Sequence, residues 1–101
     1  MRLIPMEFKP SSIHGTGAFA SDDIQAGEQF NVMDYVIQHG YTFRGFNHSR
    51  NPNIGNLHKF EDRGGSISGV PDLYATRTIH KGEELTVDYD FQPWESKPDW
   101  Y

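Results

Sequence analysis

Short apolar runs, separated by glycine and polar residues, make up most of this chain. Four of these runs have β-type composition and stop at turn residues: 17–20, 28–32, 73–76 and 85–89. A fifth stretch, 30–38, spaces its apolar side chains unevenly and favours either a short helix or a strand. The pattern therefore predicts a mainly β protein of several small sheets with little helix.

An internal echo predicts two equivalent β corners. Residues 19–28, which we name the first corner, align with residues 74–83, the second corner. Each reads an aromatic residue, Ala, a polar linker, Ile, two further residues and Gly-Glu. Gly27 and Gly82 would supply the positive φ of a tight turn, and the Ile would anchor that turn in the core. The echo is evidence about the fold and not about chemistry.

Composition limits the classes of protein to consider. The 101 residues suffice for one domain, and 14% of them are aromatic, so large rings must supply much of the burial. We expect a single domain over 1–101, with its core at about 9–98 and an aromatic C-terminal segment at 91–101. The chain has no cysteine, which excludes disulfides and thiolate zinc sites, and its five histidines are dispersed. We therefore expect no metal site.

Charge and hydropathy indicate the environment and the partners of the chain. The net charge is −5, which argues against direct nucleic-acid binding because phosphate contacts need clustered Lys and Arg. Six acidic residues fall between positions 83 and 99, against the single base Lys97. They form either a solvated acidic tail or an electrostatic guide for a basic partner. The chain lacks a membrane-length apolar run and a signal-peptide pattern, so we expect no membrane partner and a soluble intracellular protein of the cytoplasm or nucleus.

Three polar segments are candidates for chemistry. Residues 12–17 contain Gly15 and Gly17, which would let the backbone approach a ligand closely or would simply form a hairpin turn. Residues 46–53 read Phe-Asn-His-Ser-Arg-Asn-Pro-Asn and form either a rigid pocket wall or an irregular polar turn. Residues 84–89 read as a strand that ends on an aromatic residue.

Taken together and in this order, the three segments resemble the motifs of the SET-domain protein-lysine methyltransferases. The likeness runs from about residue 9 to residue 98 and is closest to the minimal stand-alone SET proteins of viruses. It implies β-clip-like small sheets with a C-terminal pseudo-knot that brings Asn47 and Tyr89 together. It also implies S-adenosylmethionine (SAM) as cofactor and a lysine of a protein substrate as methyl acceptor. The acidic C-terminal stretch would suit a basic tail such as that of a histone.

The resemblance also implies roles for individual residues. Tyr89 is the expected catalytic residue, with its hydroxyl between the lysine amine and the SAM methyl group. Tyr35 and Tyr41 are candidates for the substrate lysine channel or are ordinary core residues. Trp94 either covers the adenine of SAM or packs on the domain or on a second subunit. The expected cofactor-binding residues are His14, Gly15, Thr16, Gly17, Phe46, Asn47, His48, Tyr89 and Trp94.

Two departures from the family pattern change what we expect. Arg50 stands where most members have a cysteine that helps to bind zinc, so the pocket would close without metal. Between residues 30 and 43 the chain is shorter than in most SET domains, where this region forms one wall of the substrate groove. A second subunit or the surface of a folded substrate would have to supply that wall. We therefore expect a homodimer.

Two other functions are compatible with the sequence. The chain could be a catalytically inactive SET-like module that binds SAM or a protein, although the presence of Asn47 and Tyr89 argues against this. It could also be a small β-clip domain that binds carbohydrate or serves as a structural module. Such domains lack the Asn-His-Ser and Asp-Tyr pair.

Overall fold

The computed structural model describes residues 1–40, 45–57 and 69–88. Within these ranges the chain forms short strands and one helix. In chain order these elements are β1 (Met6–Pro10), β2 (Thr16–Ala20), β3 (Gln29–Phe30), α1 (Val32–His39), β4 (Asn47–His48), β5 (Ile54–Asn56), β6 (Leu73–Ala75) and β7 (Thr86–Val87).

The strands assemble into three small sheets. β1 and β2 pair antiparallel, with Met6 opposite Ala20 and Pro10 opposite Thr16. β3, β6 and β5 form a three-stranded antiparallel sheet with β6 in the centre. β4 and β7 pair in parallel, although β5 and β6 lie between them in the sequence. This last sheet joins two of the three polar segments that the sequence singles out.

The two corners pack against each other through matching backbone hydrogen bonds. The Gly27 N–H donates to the Ala75 carbonyl at 2.8 Å, and its counterpart, the Gly82 N–H, donates to the Ala20 carbonyl at 2.8 Å. Both glycines have positive φ, +83° and +94°. The echo therefore marks two equivalent corners, as predicted. The other matching bonds join the N–H of Ile24 to the carbonyl of Ile79 (2.8 Å), Ile79 to Ile24 (2.9 Å), Ala75 to Glu28 (2.9 Å) and Ala20 to Glu83 (2.8 Å).

The stretch 30–38, for which the sequence favours either a short helix or a strand, is mostly helical and forms most of α1. Its N-cap is Asn31, whose side-chain oxygen accepts a hydrogen bond from the Asp34 N–H at 2.7 Å. The helix ends at Gly40, whose N–H donates to the Val36 carbonyl at 2.7 Å. The predicted strand 28–32 is accordingly too long, because Asn31 uses its side chain to start a helix instead of continuing the strand.

One hydrophobic core lies between the sheets. It combines residues of every described sheet with Ile4 from the N-terminus and Tyr35 from α1. Phe30 and the two corner isoleucines are fully buried. The buried apolar side chains are Ile4, Met6, Ala18, Ala20, Ile24, Phe30, Tyr35, Phe46, Ile54, Leu73, Ala75, Ile79, Leu85 and Val87.

The mainly β architecture of small sheets with little helix is confirmed for the described residues. Three strands were not predicted. One of them, β4, lies in the segment 46–53, for which the sequence indicated a pocket wall or a polar turn. β1 alternates apolar and polar positions over only five residues, and β5 contains Ile54 as its single large apolar residue. Gly55 in β5 lies under the Tyr74 ring, where a Cβ atom would come within 2.6 Å of ring carbons. The described ranges contain no helix of the length and apolarity that crossing a bilayer requires.

Candidate functional site

The three polar segments of the sequence converge in space. The parallel pairing of β4 with β7 sets Asn47 opposite Thr86 and His48 opposite Val87. The Ser49 N–H extends this pairing by donating to the Val87 carbonyl at 2.9 Å. The loop that leads into β2 meets the same place, through a hydrogen bond from the Asn47 side chain to the His14 carbonyl. The described parts of the three segments, 12–17, 46–53 and 84–88, therefore lie together.

The Asn47 side-chain amide lies at the centre of this convergence. Asn47 is 7% exposed, and its Nδ2 atom lies 2.9 Å from the His14 carbonyl and 2.8 Å from Glu84 Oε2. The Ser11 hydroxyl oxygen lies 3.1 Å from the same Nδ2 atom. A carbonyl and a carboxylate can only accept hydrogen bonds, so both amide hydrogens have partners.

Glu84 and Ser11 complete a network that the sequence analysis missed. The Ser11 hydroxyl lies 2.7 Å from Glu84 Oε1 and 2.9 Å from Oε2, and donates to this carboxylate. The same hydroxyl oxygen accepts the Ile13 N–H at 2.9 Å, while the Ser11 N–H donates to the Gly15 carbonyl at 2.8 Å. Ser11 thus shapes the glycine loop and fastens it to Glu84. The one signal available was the second glutamate of Gly-Glu-Glu, where the first corner has Gln29.

Gly17 is required by the close approach of Glu84. A Cβ atom at position 17 would clash with Glu84 Oε2 and would lie 2.8 Å from its Cδ atom. Since Ser11 and Asn47 hold that carboxylate, it has little freedom to move away. The glycine of the loop therefore makes room for the glutamate and not only for a turn.

Asn53 holds the strand that leads toward position 89. Its Nδ2 donates to the Glu84 carbonyl at 2.8 Å, and its Oδ1 accepts the Thr86 N–H at 2.9 Å. The side chain thereby bonds the backbone on both sides of Leu85, as a neighbouring strand would. Asn53 is 3% exposed, so these bonds are shielded from water.

Three ionisable side chains lie near one another at the end of β7. His48 Nδ1 is 3.8 Å from Asp88 Oδ1, and the Arg50 guanidinium is 3.9 Å from the same oxygen. The side chains of His48 and Asp88 are largely buried, whereas that of Arg50 is 65% exposed. Arg50, the departure from the family pattern, therefore approaches the residue directly before Tyr89 with a positive charge.

The remaining predicted site residues are distributed as follows. Thr16 is the exposed first residue of β2. Phe46 is in the core, directly before β4. Tyr35 is buried on α1 and contacts Phe8 edge-on at 6.4 Å between ring centroids. Burial raises the pKa of the Tyr35 hydroxyl above its usual value. Tyr41, Tyr89 and Trp94 lie outside the described residues.

The described residues contain no group of three or more His, Asp and Glu side chains arranged to hold a metal ion. The chemistry that they offer is instead a buried amide and a carboxylate beside a glycine loop. Such a set can bind the polar end of a small ligand through hydrogen bonds.

Comparison with known proteins identifies the family. Among solved structures, a crystal structure of a Plasmodium falciparum protein described as a candidate histone methyltransferase matches this chain with a TM-score of 0.57. The match has 20% sequence identity and covers 94% of this chain and 100% of that one, so it supports a common fold. No curated protein sequence matches. The SET domain family matches residues 29–90, which is more than half of the chain. The protein belongs to the SET domain family.

Proposed function

We propose that this protein is a SAM-dependent protein-lysine N-methyltransferase. Membership of the SET domain family supports a protein methyltransferase. The observation that carries the proposal is the parallel pairing of β4 with β7, which sets Asn47 opposite Thr86, three residues before Tyr89 in the sequence. The residue proposed to bind the cofactor lies on β4, and the residue proposed at the transfer point follows the last residue of β7 by two positions in the sequence.

The residues around Asn47 fit the amino-acid end of SAM. That end carries an ammonium and a carboxylate and needs hydrogen-bonding partners of both kinds. Asn47 and Glu84 supply amide and carboxylate oxygen atoms, and the glycine loop supplies backbone at Gly15, where the space that a Cβ atom would occupy is open. The proposed cofactor-binding residues are His14, Gly15, Thr16, Gly17, Phe46, Asn47, His48, Tyr89 and Trp94.

Tyr89 is the proposed catalytic residue. When bound, SAM would supply a methyl group whose carbon bonds to the lysine nitrogen as its bond to sulfur breaks, and the sulfur leaves as a neutral thioether that needs no acid catalysis. The substrate lysine must first lose a proton from an ammonium whose reference pKa is about 10.4, and an apolar channel favours that loss. The Tyr89 hydroxyl would then orient the neutral amine, and such positioning can supply several kcal/mol. Tyr35 and Tyr41 are the proposed channel residues.

The substrate is proposed to be a lysine in a basic protein tail, such as that of a histone. The acidic residues between positions 83 and 99 favour a positively charged partner. The Plasmodium falciparum protein with a similar fold is itself named for histone methylation. We also propose that the protein is most similar to the minimal SET proteins of viruses, on the basis of the sequence motifs alone.

A homodimer is proposed because the region that forms one groove wall in most relatives is short here. Between positions 30 and 43 the described residues contain α1, an eight-residue helix. A second subunit could complete the groove, with the aromatic segment 91–101 in the interface. Sedimentation equilibrium at micromolar concentration should give twice the monomer mass, and a monomeric mass would contradict this part of the proposal.

Transfer of labelled methyl groups from SAM to purified histones and to a mixed protein extract tests the proposed activity. Wild-type protein should label a discrete band, and Tyr89→Phe should label it at least about tenfold less, since a misplaced amine raises the barrier. Tyr74→Phe is the matched control, because it also removes one hydroxyl but from β6. Tyr74→Phe should keep the wild-type rate.

Two outcomes would contradict the proposal. Equal loss of transfer in both tyrosine variants would show that Tyr89 has no special role at the transfer point. SAM binding without methyl transfer to any protein would favour the alternative of a SET-like binding module. A rise in the melting temperature with SAM measures binding separately from transfer.

A further inference from the structure

The orientation of the Asn47 amide is fixed by its neighbours. Nδ2 lies 2.8 Å from a carboxylate oxygen of Glu84 and 2.9 Å from the carbonyl oxygen of His14. Neither neighbour can donate a hydrogen bond, so a flipped amide would set its own oxygen against both of them. The chemistry of these two partners therefore assigns the nitrogen to this side.

This orientation leaves one atom of the amide for a ligand. Both Nδ2 hydrogens are used within the protein, and none of the described residues donates a hydrogen bond to Asn47 Oδ1. The Asn47 side chain can therefore bind a ligand only as a hydrogen-bond acceptor, so the ligand must bring a donor group such as an ammonium. The carboxylate of Glu84, bonded to the same amide, adds negative charge that favours a cation.

We propose that Glu84 is a positioning residue that orients Asn47, so that the Asn47 oxygen selects the ammonium of the amino-acid end of the cofactor. The inference rests on the proposed function, since it concerns how the same site binds SAM. Ser11 supports Glu84 by donating its hydroxyl to the carboxylate. Gly17 leaves the space that the carboxylate occupies.

The internal symmetry of the fold supplies a conservative test variant. Glu84 faces Phe19 in an antiparallel bridge, as Gln29 faces Tyr74 at the equivalent point of the other corner. Glutamine is therefore already accommodated at the matching position of this backbone. Glu84→Gln should keep the corner folded, while it removes the charge and sets an amide NH2 group against Ser11 or Asn47.

The test is the dissociation constant for SAM, measured by titration calorimetry on full-length variants. Glu84→Gln should weaken SAM binding about tenfold or more, the size of a lost charge-assisted hydrogen bond. Glu83→Gln is the control, because it makes the same change in net charge at an exposed neighbour whose side chain bonds only its own turn. It should leave the affinity within about twofold, since exposed charges at a distance are screened.

A double-mutant cycle separates positioning from a general structural effect. If Glu84 acts through Asn47, then Glu84→Gln should cost less than about twofold in SAM affinity when Asn47 is already alanine. Loss of the same factor in both backgrounds would overturn the proposal. Ser11→Ala should weaken SAM binding about threefold in the wild-type background, and it supplies the test should Glu84→Gln fail to fold.

The failures of the two proposals are distinguishable. If the wild-type protein binds no SAM, the proposed function fails. If wild-type and Glu84→Gln proteins bind SAM equally well, only the positioning role of Glu84 fails.

Discussion

The first and second corners exchange the same backbone hydrogen bonds, yet they lead into different parts of the molecule. Each corner turns at a glycine with positive φ and buries an isoleucine against the other. The position after the shared Gly-Glu is Gln29 in the first corner and Glu84 in the second. Gln29 is exposed, whereas the Glu84 side chain is bound by Ser11 and Asn47.

The chain that follows each corner also differs. After the first, Asn31 caps helix α1, whereas after the second, Thr86 enters the parallel sheet with β4. Asn53 bonds the second corner's exit strand with its side chain. The comparison teaches that the corners are a common scaffold, and that the candidate site arises from the segments that cover only one of them.

Removing the central isoleucine of either corner should have the largest effect on stability. Ile24 and Ile79 are both fully buried, and truncation of such a residue to alanine costs about 2–5 kcal/mol. Because the positions are equivalent, Ile24→Ala and Ile79→Ala should lower the free energy of unfolding by amounts that agree within about 1 kcal/mol. Urea denaturation followed by circular dichroism measures both. A difference above about 2 kcal/mol would show that the corners are not energetically equivalent.

Asn53→Ala should destabilise the second corner alone. It leaves the Glu84 carbonyl and the Thr86 N–H without their buried partner, which costs about 2–3 kcal/mol. Asn31→Ala, the matched change after the first corner, removes a helix cap and a buried hydrogen bond to the Val70 carbonyl, and should cost about 1–3 kcal/mol. Hydrogen exchange at the Thr86 amide should accelerate in Asn53→Ala and not in Asn31→Ala. Unchanged exchange at the Thr86 amide in both variants would contradict the proposed role of Asn53 in bonding this backbone.

Alanine at either turn glycine should cost about 1–2 kcal/mol, because an L side chain resists positive φ. At Gly27 and Gly82 a Cβ atom would meet nothing within 4 Å, so the backbone conformation is the only source of the cost. The two variants should therefore have nearly equal midpoints of thermal unfolding. A much larger loss at one of them would reveal a contact that the symmetric hydrogen bonds do not explain.

The smallest effect should come from the ion pairs of Arg2, whose described partners, Asp22 and Glu28, both lie in the first corner. Arg2 Nε lies 2.7 Å from Glu28 Oε2, and this hydrogen bond to Arg2 is the main reason that the pKa of Glu28 is lowered. Because Arg2 is 41% exposed, solvent screening limits the contribution of the pair to less than about 1 kcal/mol.

The pH dependence of that contribution has a definite sign. A carboxylate with a lowered folded-state pKa stabilises the protein above its unfolded pKa, and the contribution is lost as the pH falls through the folded value. Arg2→Ala should thus be less stable than wild type at pH 7 and should approach it below about pH 4. Arg2 also donates to the Asp23 carbonyl, which does not titrate, so a stability difference as large at acidic pH as at pH 7 is the result that would contradict the charge explanation. Glu83 is the equivalent glutamate of the second corner. Arg2→Ala should therefore lower the free energy of unfolding by the same amount in the Glu83→Gln background as in the wild-type background.

Much of the fold was predictable because its signals are local. The glycine, isoleucine and glutamate spacing of the corners is readable in the sequence, and so are the cores of β2 and β6. β5 was not predictable, since a strand with one apolar residue exists only because β6 lies beside it. The end of β3 was misjudged because the backbone choice depends on the side-chain cap of Asn31.

For the candidate site, the sequence by itself determined the three polar segments and their order, which identify the family. Only the tertiary structure decided that Glu84 and Ser11 belong with Asn47, because their partners come from three distant parts of the chain. Local sequence constrains φ, ψ and turn chemistry, and so it predicts corners. A half-buried carboxylate such as that of Glu84 acquires its role from the donors that packing brings to it, and no local pattern specifies them.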